Sequence, residues 1–181
     1  MQTCRNLLYF ALIQERHDYP IGLEGHKGNL GDYVPFYFGG ISVMLYNIKT
    51  GYRGIPKIPE SDIVYICCKL DSFVEKGLDF VYTDGHAKNS TTRFFDDLSD
   101  LNKVDWNLVK ARYWGNTDED NDRKRKKQAE FLVKSHVPPD CISMIGVFDQ
   151  EKCDLITQIV QESGLEIPVR IDTQKKPYYY S

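Results

Sequence analysis

A glutamate set among apolar residues opens the chemical reading of this chain. The segment Lys127-Gln128-Ala129-Glu130-Phe131-Leu132-Val133 follows the charged run Asp118 to Lys126 and precedes Val137-Pro138-Pro139. A carboxylate at the point where a solvated loop enters a β-prone segment sits at the edge of a core. Partly desolvated and held rigidly there, it suits the stabilisation of a developing cation. The competing reading is a glutamate on the exposed face of a strand. Spacing alone does not separate the two.

The charged run has chemistry of its own to weigh. Asp118, Asp120 and Asp122 alternate like the start of a calcium loop. The position that needs the turn glycine is Arg123, however, and the position of the closing glutamate is Ala129, so no metal is expected. Arg123-Lys124-Arg125-Lys126-Lys127 is an unbroken run of cations. One reading is a solvated face; the other is a guide that leads a polyphosphate or a nucleic-acid strand toward Glu130. Tyr33, Phe36, Tyr37, Phe38 and Tyr46 offer either stacking surfaces or core.

The elements that must hold these groups are short strands separated by irregular segments. Ile63 to Cys68 is a continuous apolar run of strand length, which predicts burial on both faces. Leu78 to Tyr82, Met144 to Phe148 and Pro168 to Ile171 also read as strands. Asp105 is placed to cap a helix whose face carries Trp106, Val109 and Tyr113. A second helix is predicted over Glu151 to Ser163, with Asp149 as cap and Gly164 as terminator. Its stripe is Cys153, Ile156, Ile159 and Val160. The stretch from Gly22 to Val34 reads as a loop.

Composition bounds the class. The chain has 181 residues, 41% apolar and 27% charged, enough for one domain with a real core and too apolar for a disordered chain. A net charge of −3 excludes a uniformly basic nucleic-acid coat while leaving room for a local patch. No apolar run reaches the ~18 residues of a membrane span. The apolar start, Leu7 to Ile13, lacks a cleavage pattern and reads as structure. Five cysteines without a C-x-x-C pair point away from a disulfide framework or a zinc site. Cytoplasmic localisation and a single α/β-type domain over residues 1–181, with a mixed sheet, are therefore expected.

Several segments in order carry a resemblance. They are Gln14-Glu15-Arg16-His17-Asp18-Tyr19-Pro20, Gly31-Asp32-Tyr33-Val34-Pro35-Phe36-Tyr37-Phe38, Ser42-Val43-Met44-Leu45, and Tyr82-Thr83-Asp84-Gly85-His86-Ala87. With Lys127 to Val133 and the terminal Pro177-Tyr178-Tyr179-Tyr180, they resemble the DarT family of DNA ADP-ribosyltransferase toxins. The resemblance implies an α+β fold, an ADP-ribosyltransferase-like split mixed β-sheet with flanking helices. It implies NAD⁺ as substrate, no metal, single-stranded DNA as acceptor and a macrodomain antitoxin as partner. Thymine is the expected base, with guanine as the alternative. By matching motifs, Arg16 and Glu130 correspond to the catalytic pair, and Met44 and His86 to residues that line the site. Arg16 and Met44 would serve NAD⁺. The segment from His86 to Glu130 resembles the substrate-recognising loop, which would turn Arg123, Lys124 and Arg125 toward DNA.

Breaking the bond to nicotinamide leaves an oxocarbenium-like ribose, which a fixed Glu130 carboxylate would stabilise. The attacking base nitrogen must also lose a proton. The family resemblance gives that task to the arginine. A guanidinium stays protonated, so holding the pyrophosphate or the transition state suits Arg16 better. His86 is the other candidate relay; its plainer reading is a turn histidine after Asp84-Gly85.

Two departures from the family pattern matter. Relatives begin with a strand whose His and Thr grip NAD, and Met1 to Ile13 has no such pattern, so the start is expected to be shortened. Gly39-Gly40-Ile41-Ser42-Val43-Met44 stands where relatives carry prolines, and paired glycines loosen a loop. Two function classes follow. One is an active transferase toxin; the other is a catalytically impaired, truncated homologue that contacts nucleic acid or the antitoxin without turnover.

Overall fold

The computed structural model describes residues 14–25, 28–172 and 178–180. The expectation of a shortened start falls on residues 1–13, outside the described residues. The chain divides into two compact units, Met1–Phe38 with Asp79–His136 and Gly39–Leu78 with Val137–Ser181.

The first unit is built on an antiparallel sheet of four strands. These are β1 (Tyr33–Tyr37), β3 (Phe80–Thr83), β4 (Phe94–Phe95) and β5 (Glu130–Lys134), ordered β1-β5-β3-β4. Alternation along β5 sends Glu130 and Leu132 to one face and Phe131 and Val133 to the other. The register places Tyr37 opposite Glu130, Pro35 opposite Leu132 and Val81 opposite Leu132. Leu132 and Val81 join Ile21, Leu30, Tyr33, Ala87 and Phe94 in one core cluster. The opposite face is aromatic. Phe131 stacks on Phe80 at 4.9 Å, and Phe38 meets Trp106 edge-on at 5.2 Å. Of the aromatic candidates, Tyr33 is thus a buried core residue, and Phe38 is half-buried with its ring packed on Trp106 and Phe131. Proline at the centre of β1, an edge strand, costs no ladder bond on its outer side.

The second unit carries a three-stranded mixed sheet. Its strands are β2 (Tyr65–Cys68), β6 (Ile142–Val147) and β7 (Val169–Ile171), ordered β2-β6-β7 with β2/β6 antiparallel and β6/β7 parallel. Helices α1 (Val43–Thr50) and α2 (Leu70–Glu75) precede and follow β2, and α5 (Gln150–Glu162) makes the crossover from β6 to β7. A parallel pair needs such a crossover, and its helix packs back on the sheet. Val160, Ile156 and Cys153 do so against Ile145, Val147 and Val169. The α5 ends obey the sequence. Asp149 accepts from the Lys152 amide at 3.0 Å, and Gly164 takes φ +68° just past the helix. The C-terminal tyrosines close this unit. The Tyr179 hydroxyl donates to the Ile63 carbonyl, while the Tyr180 amide donates to the buried Glu60, which also pairs with Lys49 at 2.6 Å.

One antiparallel sheet and one mixed sheet with flanking helices make the split α+β architecture that was expected. Three local expectations are corrected. The run Ile63 to Cys68 is not buried on both faces. It ends as an edge strand with Ile66 52% exposed, because only the Tyr65 side is covered, by Tyr178 and Tyr179. In α5 the stripe is narrower than predicted, since Ile159 is 48% exposed. Finally, helix α3 (Trp106–Lys110) stops before Tyr113, which is 85% exposed. Ala111 is extended, and the carbonyls of Val109 and Ala111 accept from the Lys127 ammonium instead of from a further turn.

Candidate active site

Glu130 opens β5 with its side chain 3% exposed, so the solvated-face reading is overturned. Its burial follows from register, because it shares a sheet face with Leu132 and Val81 in the centre of the sheet. A charge at such a place must be paired, and Arg16 pairs it. The Arg16 guanidinium forks onto the carboxylate, Nη2 to Oε2 at 2.5 Å and Nη1 to Oε1 at 3.4 Å. The Ala87 amide donates to Oε1 at 3.0 Å. A two-pronged guanidinium contact plus one backbone donor fixes the plane of the carboxylate as well as its position.

Arg16 is held from behind. Residues 14–17 form a helical turn, and the Leu30 amide donates to the Tyr19 carbonyl at 2.8 Å, stitching the following chain to the entrance of β1. Gly31 is required at that entrance. A Cβ there would come within 2.2 Å of the His17 ring. Lys88 pairs with Glu15 beside this turn, so the residue after Ala87 and the residue before Arg16 are joined as well.

The segment Tyr82-Thr83-Asp84-Gly85-His86 supports the site from the other side. The Thr83 hydroxyl accepts from the Glu130 amide at 3.0 Å and donates to the Gly85 carbonyl at 2.6 Å. His86 is half-buried, and burial, opposed by the Glu130 charge, holds its imidazole below the usual range. It is therefore neutral near pH 7. The Lys88 amide donates to His86 Nδ1 at 3.2 Å, which leaves the ring proton on Nε2. In that tautomer Nε2 donates. Accepting a proton there requires surrender of the Lys88 contact. Tyr37, opposite Glu130, is likewise kept protonated by burial and by the Glu130 charge.

The cation run does not act as one face. Helix α4 (Arg123–Lys126) turns successive residues by about 100°. The five side chains consequently leave in different directions. Arg125, 12% exposed, lies between Asp84 and Asp122, both at 2.7 Å. Lys126 pairs with Asp120 at 3.0 Å. Two of the three aspartates of the calcium-like pattern are thus partners of cations. Lys127, 5% exposed, donates to the Val109 and Ala111 carbonyls at 2.7 and 2.8 Å. Arg123 donates to the carbonyls of Gly115 and Tyr113, and Lys124 lies over the Trp114 ring at 5.9 Å. Met44 belongs to the second unit, where it stands on α1, 51% exposed. Among the described residues no group of His, Cys, Asp and Glu is arranged to hold a metal ion.

Sequence reasoning passed over Thr83, Asp84 and Lys127 as individual functional residues. A buried lysine is invisible within a run of cations. Its burial has a measurable consequence, since desolvation brings the Lys127 ammonium down to about 8. The unfolded chain then binds more protons than the folded one between about pH 8 and the ordinary lysine value. Stability should rise with pH in that window, by at most ~1.4 kcal/mol per pH unit for one group. Denaturant titrations from pH 7 to 10 should show this slope in the native chain relative to Lys127→Met. Parallel curves would rule out the buried ammonium.

The site is a buried carboxylate gripped by an arginine fork and one backbone amide, on the antiparallel sheet of an α+β protein. The family model described as "ssDNA thymidine ADP-ribosyltransferase, DarT" matches residues 8–180. The chain belongs to the DarT family of ADP-ribosyltransferases. It is 35% identical over 173 residues to a DNA ADP-ribosyl transferase of Thermus sp. (strain 2.9), covering 94% of this chain and 79% of the relative. It is 40% identical over 151 residues to a DNA ADP-ribosyl transferase of Thermus aquaticus, covering 82% of this chain and 63% of that relative. The chain therefore spans less than two thirds of the length of some relatives it matches. The fold is similar to Thermus sp. 2.9 DarT in complex with ADP-ribosylated ssDNA, with TM-score 0.82 and 34% identity over 93% of this chain and 79% of that one. The same protein in complex with NAD⁺ aligns with TM-score 0.78 and 33% identity, covering 91% of this chain and 80% of that one.

Proposed function

We propose that this chain transfers ADP-ribose from NAD⁺ to a thymine base in single-stranded DNA, as the toxin of a toxin–antitoxin pair. The observation that carries the reading is the buried Glu130, held by the Arg16 fork and the Ala87 amide, in a chain whose family match runs through both units. That match also supports treating residues 1–181 as one transferase domain. NAD⁺ is a substrate here, and no metal takes part.

In the reaction the glycosidic bond to nicotinamide breaks, a base nitrogen bonds to the ribose carbon, and the nitrogen's proton leaves. Glu130 holds the ribose hydroxyls and stabilises the positive charge that develops on the sugar. Arg16 keeps that carboxylate in place and offers its remaining N–H groups to the pyrophosphate. His86 relays the proton of the base, through a change of tautomer that releases the Lys88 amide. Met44 is assigned to NAD⁺ by the family motif alone. Of the cations expected on DNA, Arg123 and Lys124 take the phosphates, whereas the Arg125 guanidinium is occupied by two aspartates. A macrodomain protein that removes the modification is the partner, and the cytoplasm, where NAD⁺ and DNA meet, is the compartment. No helix among the described residues is long and apolar enough to cross a membrane.

The test is mass spectrometry of oligonucleotides incubated with NAD⁺ and the protein, one set containing thymine without guanine and one the reverse. A mass gain of one ADP-ribose confined to the thymine set is expected. Labelling of the guanine set alone would overturn the base assignment, and labelling of neither would favour the catalytically impaired reading. Binding has its own signature. Replacing Arg123 and Lys124 by alanine should flatten the slope of log affinity against log salt by roughly 1.4, about 0.7 for each phosphate contact on a single strand. Fluorescence anisotropy across a salt series measures it. An unchanged slope would return the run to a solvated face.

A further inference from the structure

Arg125 was expected among the DNA-binding cations, and its surroundings suit a different task. Its guanidinium makes four hydrogen bonds to three side chains. Nη1 donates to Asp84 Oδ1 at 2.7 Å and to the Thr92 hydroxyl at 3.2 Å. Nε and Nη2 donate to the two oxygens of Asp122, both at 2.7 Å. Asp84, 7% exposed, is held in turn by the Arg93 amide at 3.1 Å and by Arg93 Nε at 2.9 Å. Such an arrangement of charge-assisted bonds is rigid, and it leaves no pair of N–H groups for a two-pronged phosphate contact.

The side chain reaches this seat over a glycine. A Cβ at Gly85 would come within 2.3 Å of Arg125 Nη1, 2.9 Å of Cγ and 3.0 Å of Cζ. Gly85 has no positive φ, so the absence of a side chain there serves the passage of Arg125. The backbone of the same arginine completes the link, because its carbonyl accepts from the His86 amide at 3.0 Å. Thr92 closes a second loop, donating to the His86 carbonyl at 2.8 Å. Both ends of the His86 peptide are therefore fastened to Arg125 or to its direct partner.

The residues fastened in this way are the ones that hold the carboxylate. Gly85 accepts from Thr83, whose hydroxyl accepts from the Glu130 amide, and Ala87 donates to Glu130 Oε1. Arg125 is also only five residues ahead of Glu130. The Arg125 carbonyl accepts from the Gln128 amide at 3.0 Å within the turn that delivers the chain to β5. The polar cluster thus clamps the loop that follows β3 to the turn that precedes β5.

We propose that Arg125, seated on Asp84 across Gly85, is a positioning residue for the reaction, setting the distance between the Ala87 amide and the Glu130 carboxylate. The inference rests on the reading of Glu130 as the charge-stabilising group. It separates Arg125 from its neighbours Arg123 and Lys124, and it assigns the Asp84-Gly85 pair to the geometry of catalysis instead of to a plain turn.

The experiment compares Arg125→Met, Asp84→Asn and Arg123→Ala in the full chain, with Thr92→Val as a milder variant that keeps side-chain shape. Two quantities are read. The first needs no turnover: the exchange protection of the Ala87 amide, followed by NMR in the ligand-free protein. Protection should fall at least tenfold in Arg125→Met and Asp84→Asn, fall less in Thr92→Val, and stay as it was in Arg123→Ala. The second is kinetic. In Arg125→Met and Asp84→Asn kcat should drop about a hundredfold, with the salt slope of DNA binding unchanged. Arg125→Lys, which keeps the charge and loses the fork, should recover only part of kcat. Should Arg125→Met fail to fold, Thr92→Val carries the same two readouts. Retained Ala87 protection in the folded variants would overturn the proposal. So would a salt slope reduced by about 0.7 with kcat intact at saturating DNA, which would make Arg125 a phosphate contact. A wild-type chain without transferase activity would favour the catalytically impaired reading of the function, while the exchange data would still decide whether Arg125 holds the Ala87 contact.

Discussion

Glu130→Gln should reduce ADP-ribose transfer by ~10²–10³ or more while leaving the protein folded. The substitution keeps the size of the side chain and an oxygen able to accept from the Ala87 amide, which now lies 3.0 Å from Oε1. What disappears is the charge. A neutral amide cannot stabilise a developing oxocarbenium, and it loses the charge-assisted fork to Arg16. When two groups act as a unit, removing either costs nearly as much as removing both, which places the loss toward the upper end of that range. The melting temperature should move little, because shape and one hydrogen bond survive. Mass spectrometry of an oligonucleotide incubated with NAD⁺ reads the first expectation, and calorimetry the second. Labelling at the native rate would remove Glu130 from the chemistry, whatever its burial.

Much of this site was legible because its residues sit in short segments with strong local signatures. Glu130 preceded an apolar strand, and that strand formed as β5 (Glu130–Lys134). The caps Asp105 and Asp149 announced α3 and α5, since an aspartate before a periodic apolar stretch has few other local uses. What stayed hidden depended on contacts between distant parts of the chain. Nothing local distinguishes Arg125 from Arg123. One is turned to Asp84, 41 positions away, and the other to loop carbonyls nearby. Lys127 looked like the last of a run of surface cations, yet it ends buried under the C-terminus of α3, where its ammonium replaces the next helical turn. The burial of Ile63 to Cys68 was misjudged for a related reason. An apolar run reports hydrophobicity, whereas the number of covered faces depends on which strand becomes the edge of its sheet.

Arg16→Lys should be nearly as damaging as Arg16→Ala, and this separates a geometric role from one of simple charge. Lysine retains the positive charge but presents it as a point at the end of a flexible stem. The native contact is a fork, with Nη2 at 2.5 Å from one carboxylate oxygen and Nη1 at 3.4 Å from the other. An ammonium satisfies one of these positions and lets the carboxylate plane rotate about the remaining Ala87 bond. A rotation that displaces an oxygen by about 1 Å costs on the order of a hundredfold in rate. Both variants should therefore lose at least about a hundredfold in kcat. They should differ in stability. Arg16→Ala leaves the Glu130 carboxylate, 3% exposed, without a counter-charge, whereas Arg16→Lys supplies one. A melting temperature clearly lower for the alanine variant, with kcat similarly low in both, is the expected pattern. Near-native kcat in Arg16→Lys would show that charge alone suffices, and the fork would then be a feature of the ligand-free protein with no part in turnover.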